Sequence, residues 1–252
     1  LGIEQILFEF KLSTQITDWN TKVDFTYLPN LRHSIKFGTQ YTYHTFMPAS
    51  VSGQSDETIF SPEPIFKQYA NEGSLYFSDD YELTEKIKLN LGGRFTAFQH
   101  GGHITVLDMI SNELKQNKEN QYRHFEPRLS VRYSINPTTS LKSSYTKNYQ
   151  YIHLASLGGM SMPMDLWLPS SAIIKPTEGV QYTTGIFKNF KDNSIETSVE
   201  LYYKEMENLI EYKEGSFPED NANGRQDELL TFGDGKSYGA EFFVKKSVGK
   251  TT

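Results

Sequence analysis

The sequence has no cysteine in 252 residues, which excludes a disulfide framework and any thiolate-bound metal. It also has no apolar run approaching the ~18 residues a membrane-crossing helix needs, and its mean hydropathy is −0.55. Positive charge is not in excess: 25 Lys and Arg stand against 31 Asp and Glu, a net charge of −6. A nucleic-acid partner would ask for a basic stripe, so none is expected. The first residues, from Leu1 to Leu12, lack an initiator Met, a basic leader, an apolar core and a cleavage site. The chain is therefore expected to be a piece of a longer one, with any secretory signal outside it. None of these absences excludes a membrane, because a transmembrane barrel hides half of each strand in a polar lumen and looks soluble on average.

What the chain does have is alternation. Across 125–153, Phe125, Leu129, Val131, Tyr133 and Ile135 share one parity, and Glu126, Arg128, Ser130 and Arg132 take the other. Successive strand side chains point to opposite faces, so this is one half of a hairpin turning at Asn136-Pro137-Thr138-Thr139, with an oily face and a charged face. The same pattern recurs along the chain. A strand covers 3–12. Trp19, Val23, Phe25 and Tyr27 then oppose Asn20, Lys22 and Asp24, and after a break at Pro29-Asn30 the return strand sets Ile35, Phe37 and Tyr41 against Lys36 and Gln40. Strands at 73–81 and 86–99 pair across Leu83-Thr84-Glu85, strands at 180–190 and 195–212 pair across Lys191-Asp192-Asn193, and a last strand runs over 238–246. That makes about ten strands. Connections of three to five residues alternate with long loops at 48–66, 100–124, 153–177 and 213–236, far from ordinary loop lengths.

This rhythm predicts an all-β fold, an antiparallel transmembrane barrel segment with short periplasmic turns and long extracellular loops. Aromatics near strand ends (Trp19, Tyr41, Tyr81, Tyr133, Tyr203) suit the girdles at the two membrane interfaces. Two alternatives remain open: a soluble β-sandwich that binds a ligand, whose core uses the same alternation, and a small outer-membrane barrel enzyme.

Several stretches resemble the barrel of TonB-dependent outer-membrane receptors. They are His33-Ser34-Ile35-Lys36-Phe37-Gly38, Leu75 to Tyr81 leading into Leu89-Asn90-Leu91-Gly92-Gly93-Arg94, and Glu126-Pro127-Arg128-Leu129-Ser130. Asn148 to His153, Asp165 to Ser171, Ile174-Lys175-Pro176, Glu200 to Lys204 and Ser237 to Glu241 continue the series over nearly the whole chain. The resemblance implies that 1–252 is part of a single barrel domain of about twenty-two strands, without the N-terminal plug and the remaining strands. The family's barrel ends on an aromatic-terminated strand, and this chain ends on Lys and Thr, so the resemblance is expected to cover roughly the middle or later part of a barrel. The implied function is binding and import of a nutrient (a chelate, glycan or peptide) across the outer membrane of a gram-negative cell. Its implied partners are the plug of the same parent chain, the TonB energy-coupling complex acting through that plug, outer-membrane lipid and in some cases a surface lipoprotein.

Candidate chemistry is sparse. His100-Gly101-Gly102-His103 offers two imidazoles in a loop, which is too few ligands to make a metal site. Asp79, Asp80 and His153 do not form a dyad, because adjacent strand residues point oppositely. No cofactor, metal or catalytic residue is expected. Charges on the lumen parity (Lys22, Asp24, Lys36, Lys86, Lys88, Arg94, Glu126, Arg128, Arg132, Lys142, Glu196, Glu200, Lys204, Glu241) either solvate the wall as mixed-sign pairs or contact the plug. The ligand candidates lie in and below the 153–177 loop: Tyr149, Tyr151, His153, Met162 and Trp167, with aromatic and Met area and rigid prolines around them. The same residues would also serve to cap the barrel mouth by packing on one another.

Overall fold

Short turns at one end of the molecule are closed by the side chains the sequence puts there. Asn30 Oδ1 accepts from the Arg32 amide at 2.8 Å, and Asn136 Oδ1 accepts from the Thr138 amide at 3.0 Å. Thr84 Oγ1 accepts from the amides of Lys86 and Ile87 at 3.2 and 3.0 Å. At the fourth turn Lys191 and Asn193 adopt positive φ of 51° and 66°, a conformation Asn tolerates. Each turn fixes the register of the hairpin it closes.

The computed structural model describes residues 9–55, 58–60, 68–101, 120–155, 166–191, 193–216 and 229–247. Among the described residues there are twelve strands: β1 (Glu9–Asn30), β2 (His33–Ser55), β3 (Thr58–Phe60), β4 (Gln68–Glu82), β5 (Ile87–Gly101), β6 (Asn120–Asn136), β7 (Thr139–Gln150), β8 (Ile152–Ala155), β9 (Leu166–Pro169), β10 (Thr177–Phe190), β11 (Ile195–Tyr212) and β12 (Leu230–Lys246). One antiparallel sheet runs β1-β2-β4-β5-β6-β7-β10-β11-β12, with the short β3 added to β2, and β8 and β9 form a separate hairpin. The expected antiparallel architecture is thus present, with each long strand beside its neighbour in sequence. No second layer packs against the oily face among the described residues. The sandwich reading is therefore set aside.

The oily parity is bare. Leu129, Val131, Val199 and Leu201 are 47, 36, 37 and 51% exposed, and Phe25, Leu91 and Phe95 behave alike. An apolar surface of this extent is far beyond what a protein in water tolerates, and it is what lipid requires. One outward row crosses four strands as Tyr145, Tyr182, Tyr203 and Tyr238, each the direct partner of the next. Tyr203 lies eight residues above the strand start at Ile195, and eight residues at ~3.3 Å, tilted by ~40°, rise about 20 Å. The row therefore stands near the upper edge of the apolar band.

The strands outrun the sequence pattern. β1 is a single ribbon from Glu9, where separate stretches at 3–12 and 19–27 were expected; residues 1–8 lie outside the described set. β2 continues to Ser55 inside the expected 48–66 loop, β6 begins at Asn120 inside the expected 100–124 loop, and β12 begins at Leu230 inside the expected 213–236 loop. Beyond the lipid both faces of a strand meet water or loops, so alternation disappears while the backbone ladder persists.

The charged parity faces a hollow. One cavity of about 1090 Å³ is lined by the β1–β2 turn and by β4, β5, β6, β7, β10 and β11 together, so the sheet curves around this face. At Gly38 and Gly239 the absent side chains let the rings of Tyr76 and Tyr202, their direct cross-strand partners, lie flat over the backbone.

Candidate functional site

Along the lumen parity the wall changes character with height. On β5 it reads Lys88, Asn90, Arg94, Thr96, then Phe98; on β2 it reads Lys36, Gln40, Thr42, His44, then Phe46. The middle level is a network of opposite charges. His44 sits 2.8 Å from Asp18 and 3.8 Å from Glu72, Arg94 lies 3.7 Å from Glu72, and buried Glu126 accepts from Thr96 Oγ1 at 2.8 Å. For Arg94, paired with Glu72, and for Lys22, paired with Asp24, the mixed-sign reading of the lumen charges describes what is seen.

Above this level the lumen closes. The β8–β9 hairpin leaves the top of β7 and touches β1 and β2 on one side and β11 on the other, so it spans the concave face rather than standing above it. Two apolar clusters hold it. Tyr151 packs with Phe46, Ala70 and Phe98, its ring stacked on Phe98 at 4.9 Å between centroids. On the other side, Ala155, Leu168 and Ile174 pack with Tyr212 and Leu230. Polar bonds complete the fastening. The Tyr122 hydroxyl donates to the Ser171 carbonyl at 2.6 Å, and the Ser170 amide donates to the Tyr151 carbonyl at 2.7 Å.

His153 is the buried pivot of the hairpin, 3% exposed. Thr177 Oγ1 donates to the Asn208 carbonyl at 3.0 Å, so it accepts from His153 Nδ1 at 3.3 Å; Ser170 Oγ then donates to Nε2 at 2.8 Å. Burial pulls the imidazole down to about 4, so it is neutral at pH 7. Above pH 6.5 the ring is neutral folded or unfolded, and acid has no hold on it. Between pH 6.5 and 4 only the unfolded ring takes a proton, so hairpin stability falls as pH drops through that window. The expected result is a fall in the protection factors of the amides at 152–155 and 166–169, exchange being corrected for its intrinsic pH dependence, as pH falls from 7 to 4. In His153→Gln that fall is expected to vanish.

The structure gathers four of the five sequence-predicted residues at this hairpin or its foot. Tyr151 and His153 are buried in it, whereas Trp167 remains 38% exposed beside its partner Leu154 at 40%. Tyr149 stacks on His124 at 3.8 Å and donates to Glu178 Oε2 at 2.7 Å, with Lys147 2.5 Å from the other carboxylate oxygen. Met162 lies outside the described residues. His100 belongs to strand β5 and is buried, not placed in a loop as expected; its supposed metal partner His103 lies outside the described residues. Among the described residues no three His, Cys, Asp or Glu side chains gather to hold a metal. Sequence reading missed Phe46, Phe98, Tyr122 and His124. The signal was available in the lumen parity, which turns from charged to aromatic where the hairpin docks.

A curved antiparallel sheet, oily outside and charged inside, with a loop folded into its upper mouth, agrees with a family match. Residues 7–248 match the family model described as TonB dependent receptor-like, beta-barrel. The chain belongs to this family. It is a segment of an outer-membrane β-barrel. The TonB-dependent receptor segment is similar in fold to the pyoverdine outer membrane receptor FpvA from Pseudomonas aeruginosa PAO1, with a TM-score of 0.62 and 15% identity over 96% of this chain and 34% of that one. It is also similar to the ferric yersiniabactin uptake receptor FyuA from Yersinia pestis (TM-score 0.62, 11% identity, 96% of this chain and 34% of that one). The alcaligin outer membrane receptor FauA from Bordetella pertussis gives a TM-score of 0.57 at 16% identity, over 95% of this chain and 37% of that one. The chain thus spans about a third of the length of these receptors. No curated protein matches it by sequence.

Proposed function

We propose that this segment is one wall of a TonB-dependent receptor whose parent chain, a single barrel domain with an N-terminal plug, binds a nutrient outside the cell and passes it inward. The observation that carries this reading is the hairpin wedged into the mouth above an open, charged hollow. A ligand held at the hairpin has room below it once the occupant of that hollow moves. Chelates, glycans and peptides are the ligand classes the aromatic rim suits, and the solved neighbours named above are receptors for pyoverdine, yersiniabactin and alcaligin. Trp167 and Tyr149 supply contact area, Met162 belongs to the same loop, and Tyr151 and His153 hold the platform in place. The plug, the TonB complex and membrane lipid are its partners, with a surface lipoprotein as a further one. The segment binds and guides; no bond is made or broken.

The test is growth of a strain carrying the full receptor as its only uptake route, offered ferric chelates, oligosaccharides or peptides as the limiting nutrient. Growth on one class is expected, with Trp167→Ala raising the concentration needed about tenfold, the loss of one aromatic anchor. Equal growth of the deletion strain on all three classes overturns the reading.

A further inference from the structure

Cross-strand register places one set of lumen charges in a single row. Reading partner to partner from β4 to β12, the row is Glu82, Lys88, Arg132, Lys142, Gly185, Glu200 and Glu241. Like charges therefore face each other directly: Lys88 opposes Arg132, Arg132 opposes Lys142, and Glu200 opposes Glu241. Each such juxtaposition weakens a sheet. Partners inside the chain relieve little of it. Lys88 pairs with Glu82, and Lys142 lies over the Phe187 ring at 3.8 Å. Among the described residues Arg132, Glu200 and Glu241 have no ion-pair partner. At the changeover stands Gly185, where a Cβ would meet Glu200 Cγ at 2.7 Å, so the Glu200 side chain lies over the glycine and no other charge stands between the two signs.

We infer that this row is a polarised docking strip for the plug, which presents carboxylates to β5–β7 and Lys or Arg side chains to β11–β12. The inference rests on the reading of the parent chain given above. Size argues for a domain over a small solute. From Lys88 to Glu241 the row crosses five strand-to-strand steps, and at ~4.8 Å each that is roughly 24 Å along the wall, wider than a small chelate spans. All of the row except Glu241 lines the one 1090 Å³ hollow, so one body can touch both ends. The sign pattern then fixes the rotational seating of that body, because turning it about the barrel axis sets like charges together.

The test uses the full receptor in planar bilayers, where urea that unfolds the plug opens a conductance. Glu200→Lys with Glu241→Lys, and separately Arg132→Glu with Lys142→Glu, are expected to lower the urea midpoint by about 1 M each, as a few lost ion pairs would. Glu200→Gln with Glu241→Gln is expected to give about half that shift. All four reversals together are expected to lower it most, since the plug keeps its own charges. Barrel integrity is checked by heat-modifiable gel mobility. If the fourfold reversal restores the wild-type midpoint, the charges serve only one another and the inference is overturned; unchanged midpoints in every variant overturn it too. Wild-type receptor that conducts without urea indicts the parent reading instead, since nothing then fills the hollow.

Discussion

Receptor carrying Leu129→Arg together with Leu201→Arg is expected to be lost from the outer membrane, while Thr183→Arg is retained. Both leucines are on the outward parity, 47 and 51% exposed, seven residues above Asn136 and six above Ile195. That height is well inside the lipid, where an arginine on the outer wall costs about 2 kcal/mol or more at each site. Two such sites together rival the net stability of an ordinary domain. Thr183 has the opposite parity and lines the hollow, so a guanidinium there meets water and the Glu200 carboxylate. Heat-modifiable mobility of the outer-membrane fraction reads the result directly. Normal assembly of the double variant would remove the lipid-facing assignment of this whole wall.

The second large effect is expected at the hairpin. Leu168 is 2% exposed and packs with Ala155, Ile174, Tyr212 and Leu230. Leu168→Asp both empties that site and leaves a carboxylate without a partner, a loss of about 5 kcal/mol to local packing. Leu168 lies on the separate β8–β9 hairpin and takes part in no ladder of the main sheet, so the barrel is expected to assemble while β8 and β9 lift from β2 and β11. Limited proteolysis of intact cells is expected to cut between 152 and 176 in the variant and not in the wild type. Ligand affinity is expected to fall at least tenfold, because Trp167 loses its platform. Leu154→Asp, on the open side of the same hairpin, is expected to leave proteolysis unchanged.

These two sites differ in how they are written in the sequence. Leu129 and Leu201 follow from parity alone, since lipid on one side and water on the other force a choice at every residue. The hairpin could not be read that way. Leu154 and Trp167 share its open side, and its docking partners Phe46, Phe98, Tyr212 and Leu230 are scattered over four strands distant in sequence. The strand extensions past the membrane were illegible for the opposite reason, since no lipid face forces an alternation on them. The charged row falls between. Lys88, Arg132, Lys142, Glu200 and Glu241 were each recognisable as lumen charges, yet only the pairing register reveals that like faces like. Register depends on all the turns at once, and no local stretch encodes it.

One feature of the wall has mechanical weight. β6 and β7 stop pairing at Arg128 and Thr146, although β6 stays bonded to β5 as far as Asn120 and β7 to β10 as far as Gln150. Above that point the rim is split into two leaves, joined across the slit by the rings of Tyr122, His124, Tyr149 and Tyr151. Stacked rings slide past each other at far lower energy than a ladder of backbone bonds unzips. The rim can therefore spread like a collar with an open seam, while the sheet beneath stays laced strand to strand.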